Sequence, residues 1–352
     1  MTKIINIFLK TVYRFTLFII DIPLNLGLLN IYLFFLKIFD FFALLFCGLN
    51  VSWIFRALTH QHKKNDKIKI VFFVHRVSIF SSFDSIIEEM MTRDNFEILL
   101  VLMPDVGLLE GEYFVSFEEK LKSKNIPFIK GVSEDGNFFD IIDYSPDYVF
   151  LQTPYYQATK KNPYFSNFLW FFTNVIHIPY AYSTDNKYHI THWDKNDRVI
   201  HRAKFNFIES EGHLNLYRKY SRMKDKNVIV MGYPKFDQYL KDWNFEDLQW
   251  KIKDKNVKRI LWTPHYTVAS SGDYIVSDFL NYFDYFLKKM KNNLDFQIIL
   301  KPHPYLFKTI IEEKIKTTEE LDNMIYSFNS LPNAHIYSEN EYYGLFVTSD
   351  IC

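Results

Sequence analysis

From Ile68 onward, short apolar runs alternate with polar loops and helix-length segments. That rhythm restricts the chain to an α/β fold around a parallel sheet. Ile68-Lys69-Ile70-Val71-Phe72-Phe73-Val74 reads as a strand ending at His75-Arg76, and a helical pattern follows from Phe83 to Met90. Strands are then predicted at Phe96–Met103, Ile126–Ile129, Asp147–Gln152, Val175–Tyr180, Phe205–Ile208 and Val228–Met231. Helices are predicted at Phe114–Ser123 and Leu214–Met223. A connector, roughly 241–256, separates this unit from a second one. There a strand at Arg259–Trp262 precedes a helix at about 277–291. A strand at Phe296–Leu300 leads into a helix over about 306–328, and Ala334–Tyr337 forms another strand. Leu345-Phe346-Val347 runs on toward the end with no element assigned. No internal repeat or low-complexity stretch interrupts the pattern, so two doubly wound units stand in tandem.

Residues 1–58 differ from the rest. Ile22–Leu36 and Phe41–Phe55 carry no charge, and Lys37 and Asp40 lie between them at a spacing that pairs them on one helical face. Each stretch alone is short for a membrane crossing. Basic residues lie on both sides: Lys3, Lys10 and Arg14 before, Arg56, Lys63, Lys64, Lys67 and Lys69 after. Both flanks are then expected on the cytoplasmic side, as a helical hairpin or an in-plane anchor at the membrane surface, the alternative being a buried helical hairpin of a soluble protein. A cleaved signal peptide fits poorly, because the apolar region is long and no small-residue cleavage site stands out.

Charge excludes one class of partner. The 41 basic residues balance 41 acidic ones, so no global field draws nucleic acid. With two cysteines, Cys47 and Cys352, neither a disulfide framework nor a cysteine-based zinc site is available. The aromatic content of 19% fills ordinary cores more readily than it builds a carbohydrate platform. Gly-x-Gly-x-x-Gly, a Walker loop, His-Glu-x-x-His and Asp-x-Asp are all missing, which argues against a nicotinamide dehydrogenase, a P-loop ATPase, a zinc protease and a single-domain metal-dependent sugar transferase.

In doubly wound sheets, ligands bind at the carboxyl ends of strands. Two such ends stand out. Phe296–Leu300 delivers Lys301-Pro302-His303-Pro304, where the prolines restrict the backbone around His303. Arg259–Trp262 delivers Thr263-Pro264-His265-Tyr266-Thr267, continued by Ser270, Ser271 and Gly272. Lysine and imidazole groups there suit a phosphate-bearing ligand, because phosphoryl transfer asks for positive charge and donors around the phosphate oxygens. Gly232-Tyr233-Pro234-Lys235-Phe236-Asp237 closes the first unit. Gly232 permits close backbone approach and Lys235 can meet an anion, though an interdomain turn accounts for the segment equally well. In the first unit His75, His177, Tyr180 and Tyr182 are candidates on the acceptor side, where a base must remove a hydroxyl proton. His177 lies inside an apolar strand and reads first as a core histidine, whereas His75 stands at a strand end beside Arg76. Glu209, Glu211 and His213 form a polar cluster with metal-ligating groups but no spacing that fixes a geometry.

Four segments together resemble the CDP-glycerol glycerophosphotransferases, the teichoic-acid-type glycerophosphate primases and polymerases. They are Phe83-Asp84-Ser85-Ile86-Ile87, Gly232-Tyr233-Pro234-Lys235-Phe236-Asp237, Trp262-Thr263-Pro264-His265-Tyr266-Thr267 and Lys301-Pro302-His303-Pro304. The resemblance runs from about residue 68 to the end. It implies two Rossmann-like domains of glycosyltransferase-B type, an acceptor domain over 65–240 and a donor domain over 250–352, behind a membrane anchor at 1–60. It further implies a transferase at the cytoplasmic face of the membrane, acting between CDP-glycerol and a lipid-linked glycan acceptor in teichoic-acid-like or capsular polymer synthesis. Lys301, His303, His265, Thr263, Thr267, Gly232 and Lys235 then fall to the donor. His303 with His75 or His177 falls to catalysis. No cofactor or resident metal is called for, with a divalent cation left open. The family's Trp-His-Gly segment has no clear match; His177-Ile178-Pro179-Tyr180-Ala181-Tyr182-Ser183 stands there instead. Family members also continue past Ser349-Asp350-Ile351-Cys352 with an Asp-Tyr-Ser-Ser loop. The second domain is therefore expected to be incomplete and transfer by the 352-residue chain to be weak or nil. A nucleotide-sugar transferase or epimerase of the same architecture, acting in capsule or lipopolysaccharide assembly, and an inactive remnant are the competing readings.

Overall fold

In the computed structural model the described residues are 67–74, 77–103, 112–152, 169, 173–180, 203–221, 224–268, 277–291, 293–337 and 343–351. The chain divides into two compact units, Met1–Lys235 and Phe236–Cys352. Among the described residues no helix is long and apolar enough to cross a membrane, and the apolar stretch 1–58 lies outside them.

Unit 1 is a seven-stranded sheet, parallel in every pairing. Its strands are β1 (Ile68–Val74), β2 (Phe96–Leu102), β3 (Phe128–Lys130), β4 (Tyr148–Leu151), β5 (Asn174–His177), β6 (Phe205–Ile208) and β7 (Val228–Val230). They lie in the order β3-β2-β1-β4-β5-β6-β7. From Ile70 to Val74 β1 carries an unbroken apolar run because both sheet faces are covered. Val71 and Phe73 pack in one core, with Val101, Val149 and Leu151. Ile70, Phe72 and Val74 pack in the other, with Phe83, Leu100 and Phe150. Helices α1 (Asp84–Met91), α2 (Glu112–Ser123), α3 (Ile141–Tyr144) and α4 (Glu211–Tyr220) supply the connections.

The strand order reverses between β1 and β4, the switch point at which such sheets open a crevice. Gln152, immediately after β4, bridges it. Its Nε2 donates to Ile79 O at 2.7 Å and to Ser82 Oγ at 2.8 Å, tying β4 to the 3₁₀ turn Val77–Ser82 that follows β1.

Unit 2 has β8 (Lys258–Trp262), β9 (Phe296–Leu300) and β10 (Ala334–Ile336), parallel, in the order β10-β9-β8. Ile351 bridges in parallel to Ile260 on β8, and Leu261 N–H donates to Ile351 O at 2.9 Å. Helices α5 (Phe279–Lys291), α6 (Leu306–Glu312) and α7 (Thr318–Asn329) contribute to one core, with Phe279, Phe283, Leu306, Ile310 and Phe328 against Ile298 and Leu300. The other holds Trp250, Leu261, Ile299, Tyr337 and Leu345, the last from α8 (Tyr343–Thr348).

Three details differ from the sequence reading. The helix expected over 306–328 is two helices. Lys314 turns left-handed at φ 55°, and Thr317 with Glu320 forms a capping box that starts α7 anew. The 241–256 connector is not mere linker, since it buries Trp250, whose Nε1 donates to Thr348 Oγ1 at 3.0 Å. Leu345-Phe346-Val347 is helical and packs on that connector. Gly344 makes the packing possible: a Cβ there would stand 2.7 Å from Leu248 Cδ2 and 2.7 Å from Trp243 Cε3. Gly344→Ala is therefore expected to destabilise the chain by about 1–3 kcal/mol, despite alanine's better helix propensity. Urea unfolding of the pair of proteins checks this, and an alanine variant as stable as the parent would refute the close packing.

Candidate functional site

The site with most chemistry is at the carboxyl ends of β8 and β9. Gln297 to Leu300 of β9 are all buried, so the strand is fixed up to Lys301. Beyond the strand ends the two chains stay laced together. Lys301 N–H donates to Trp262 O at 2.8 Å, and His303 N–H donates to Pro264 O at 3.1 Å. Pro264 cannot donate but its carbonyl accepts, so the proline loop of β8 serves as a template for the loop of β9. Lys301 is only 8% exposed, while Thr263 and His265 are exposed and His303 is intermediate.

The backbone sets the tautomer of one histidine and holds the ring of the other. Tyr305 N–H donates to His303 Nδ1 at 3.1 Å, so the neutral ring carries its proton on Nε2. Thr267 N–H points at His265 Nδ1 from 3.4 Å, with Thr267 Oγ1 at 2.9 Å from the same nitrogen. Both imidazoles are thus held by Nδ1, and His303 keeps Nε2–H as a donor. The rings lie side by side, His265 and His303 with centroids 5.2 Å apart. Tyr266 packs against both, at 4.4 Å from His265 and 4.7 Å from His303, and Tyr305 stacks on His303 at 5.6 Å. The two loops, 263–268 and 301–305, contain no carboxylate. Donors without competing acceptors suit an oxyanion.

Of the sequence candidates, Thr263, His265, Thr267, Lys301 and His303 therefore come together in unit 2. Sequence reasoning gave no role to Tyr266 and Tyr305. The signal was an aromatic residue in each loop, shortly after its histidine, in a chain where aromatics are common. Gly232 and Lys235 are in unit 1, in the loop after β7. His75, Tyr182, Ser270, Ser271 and Gly272 lie outside the described residues.

His177 is in unit 1, on β5, 5% exposed, and its Nε2 meets no hydrogen-bond partner. Burial pushes its pKa down from 6.5 to about 4, with a backbone bond to Gln152 acting in the opposite direction. The ring is therefore neutral at pH 7. The sign of the linkage follows: the unfolded chain binds this proton at higher pH than the folded one. Stability is complete above pH 6.5 and is lost as pH falls through 4, by on the order of 3 kcal/mol. Urea unfolding at pH 7 and pH 5 is expected to show that loss in the parent and a smaller one in His177→Leu. Equal losses in both would assign the acid sensitivity to other groups.

Of the Glu209, Glu211 and His213 cluster, Glu211 and His213 lie on α4 and Glu209 just ahead of it. Ser210 caps α4, accepting His213 N–H at 3.3 Å, so the helix begins three residues earlier than its apolar pattern predicts. His213 Nδ1 and Glu209 Oε2 form a buried pair at 2.9 Å. Among the described residues no group of three metal-ligating side chains occurs.

No protein-family model and no curated protein matches the sequence. Among solved structures the chain is similar to UDP-GlcNAc 2-epimerase from Neisseria meningitidis bound to UDP-GlcNAc. Identity is 16% and the TM-score 0.46, over 81% of this chain and 76% of that one. The UDP-GlcNAc 2-epimerase of Methanocaldococcus jannaschii, in complex with UDP-GlcNAc and UDP, gives 14% and 0.45, over 79% and 75%. An apo lipopolysaccharide outer core galactosyltransferase gives 12% and 0.31, over 70% and 65%. Likeness at this level carries no argument about chemistry.

Proposed function

We propose that the protein is a group-transfer enzyme whose unit 2 binds the diphosphate of a nucleotide-activated donor, and that the donor is CDP-glycerol. One observation carries the reading: two histidines, each held through Nδ1 by its own loop, stand with rings 5.2 Å apart at the carboxyl ends of adjacent parallel strands, in the loops that also carry Lys301. The four-segment resemblance described above supplies the identity of the donor.

In this reading an acceptor hydroxyl oxygen attacks the phosphorus that bears glycerol. A new P–O bond forms as the bond to the CMP oxygen breaks. Negative charge gathers on the departing CMP, where Lys301, the Nε2–H group of His303 and the ring of His265 offset it. Thr263 and Thr267 line the same loop and offer hydroxyl donors. The hydroxyl proton goes to a base on unit 1, which we assign to His75. The acceptor is a lipid-linked glycan at the cytoplasmic face of the membrane, held near by residues 1–58. No cofactor enters the scheme.

The test is donor selectivity. The full chain is titrated calorimetrically with CDP-glycerol and with UDP-sugars, and nucleotide release is followed after acceptor is added. Preferential binding of CDP-glycerol, with CMP as product, is expected. Preference for a UDP-sugar would replace the donor while keeping the site, and binding of neither would discard both.

A further inference from the structure

We propose a separate phosphate-class anion site on unit 1, built by the loop Gly232–Lys235, which holds a phosphate carried by the hydroxyl-bearing co-substrate. The site's existence does not depend on the donor assigned to unit 2. Only the word co-substrate rests on that reading.

The loop leaves β7 through Gly232, whose φ of +89° is left-handed. A Cβ placed there would meet nothing within 4 Å, so the backbone faces open space. Among the described residues the Gly232 N–H meets no acceptor. Tyr233 is buried and its hydroxyl donates to Tyr180 O at 2.6 Å, which pins the loop to the chain just beyond β5. Pro234 is buried too and fixes the backbone leading to Lys235.

Lys235 then stands partly shielded from water, and among the described residues nothing pairs with its ammonium. Burial alone pushes its pKa down. A shielded cation without a counter-charge is unfavourable in the free protein, and an arriving anion removes that penalty. An unbonded N–H beside open space supplies a second contact to the same anion, and a lysine ammonium binds phosphate as a point charge. A tetrahedral phosphate offers oxygens to both. Sequence reading grouped Lys235 with the donor loops; in the fold it is the last residue of unit 1, in the 3₁₀ turn Pro234–Leu240.

Lysine acylation with acetic anhydride, read by mass spectrometry on the full chain saturated with CDP, tests this. Glycerol 3-phosphate is expected to protect Lys235 about tenfold at ten times its dissociation constant. Protection should need more inorganic phosphate and should persist in His303→Ala. Equal protection by both probes would overturn the co-substrate assignment. Absence of protection, or its loss in His303→Ala, would overturn the site. A companion measurement keeps structural roles apart. Glycerol 3-phosphate should raise the melting temperature of the parent but not of Lys235→Met, and the variant alone should melt no lower than the parent. A lower-melting variant that still gains the ligand shift would mean that Lys235 only supports the fold.

Discussion

His303→Ala is expected to weaken CDP-glycerol binding ten- to a hundredfold while leaving the fold intact. The reasoning starts from the ring's fixed orientation. Tyr305 N–H occupies Nδ1, so a bound phosphate meets a ready donor at Nε2. A hydrogen bond to a charged group contributes about 1.5–3 kcal/mol, which is the stated range of affinity. The rate of CMP release should fall further, by about 10²–10³, because charge on the leaving phosphate grows toward the transition state. His303→Gln tests whether a donor alone suffices, and partial recovery is the expected result. Calorimetry gives the affinity and CMP release the rate. An unchanged affinity in His303→Ala, with circular dichroism unaltered, would remove this residue from the donor site.

Trp250→Ala should cost about 3–5 kcal/mol of stability, the range for emptying a core aromatic site. Trp250 is 1% exposed and packs with Leu261 of β8, Ile299 of β9 and Leu345 of α8. Its Nε1 is bonded to Thr348, so truncation also leaves a hydroxyl group short of a partner. The substitution lies behind the two strands that carry His265 and His303. Activity should therefore fail through unfolding, with a lowered urea midpoint, whereas His303→Ala should leave that midpoint in place. Trp250→Phe should retain much of the stability. Loss of binding by Trp250→Ala at an unchanged midpoint would contradict this division of roles.

Most of the architecture was legible in the sequence because a parallel sheet covered on both faces favours runs dominated by apolar residues. β1, β2, β6, β8 and β9 fall where such runs stand. Where apolar runs mislead, local polar chemistry decides instead. Ser210 starts α4 ahead of its apolar stripe, and Thr317 cuts one expected helix into two. In the site, Lys301, His265 and His303 were legible from strand-end position alone. The tautomer of His303 was not, because it depends on where Tyr305 N–H points, and a backbone direction leaves no mark on composition. Nor was the company of His177. The sequence places it in an apolar strand, but its unpartnered Nε2 follows from packing that only the fold supplies.

The ladder between β8 and β9 does not stop where the strands do: Trp262 and Pro264 continue to accept from Lys301 and His303. The two loops therefore share one mechanical body. Their ordering entropy is spent during folding, so little remains to be lost when a ligand arrives. Arrival should then be limited by diffusion and charge steering, and differences between ligands should reside in how long each one stays.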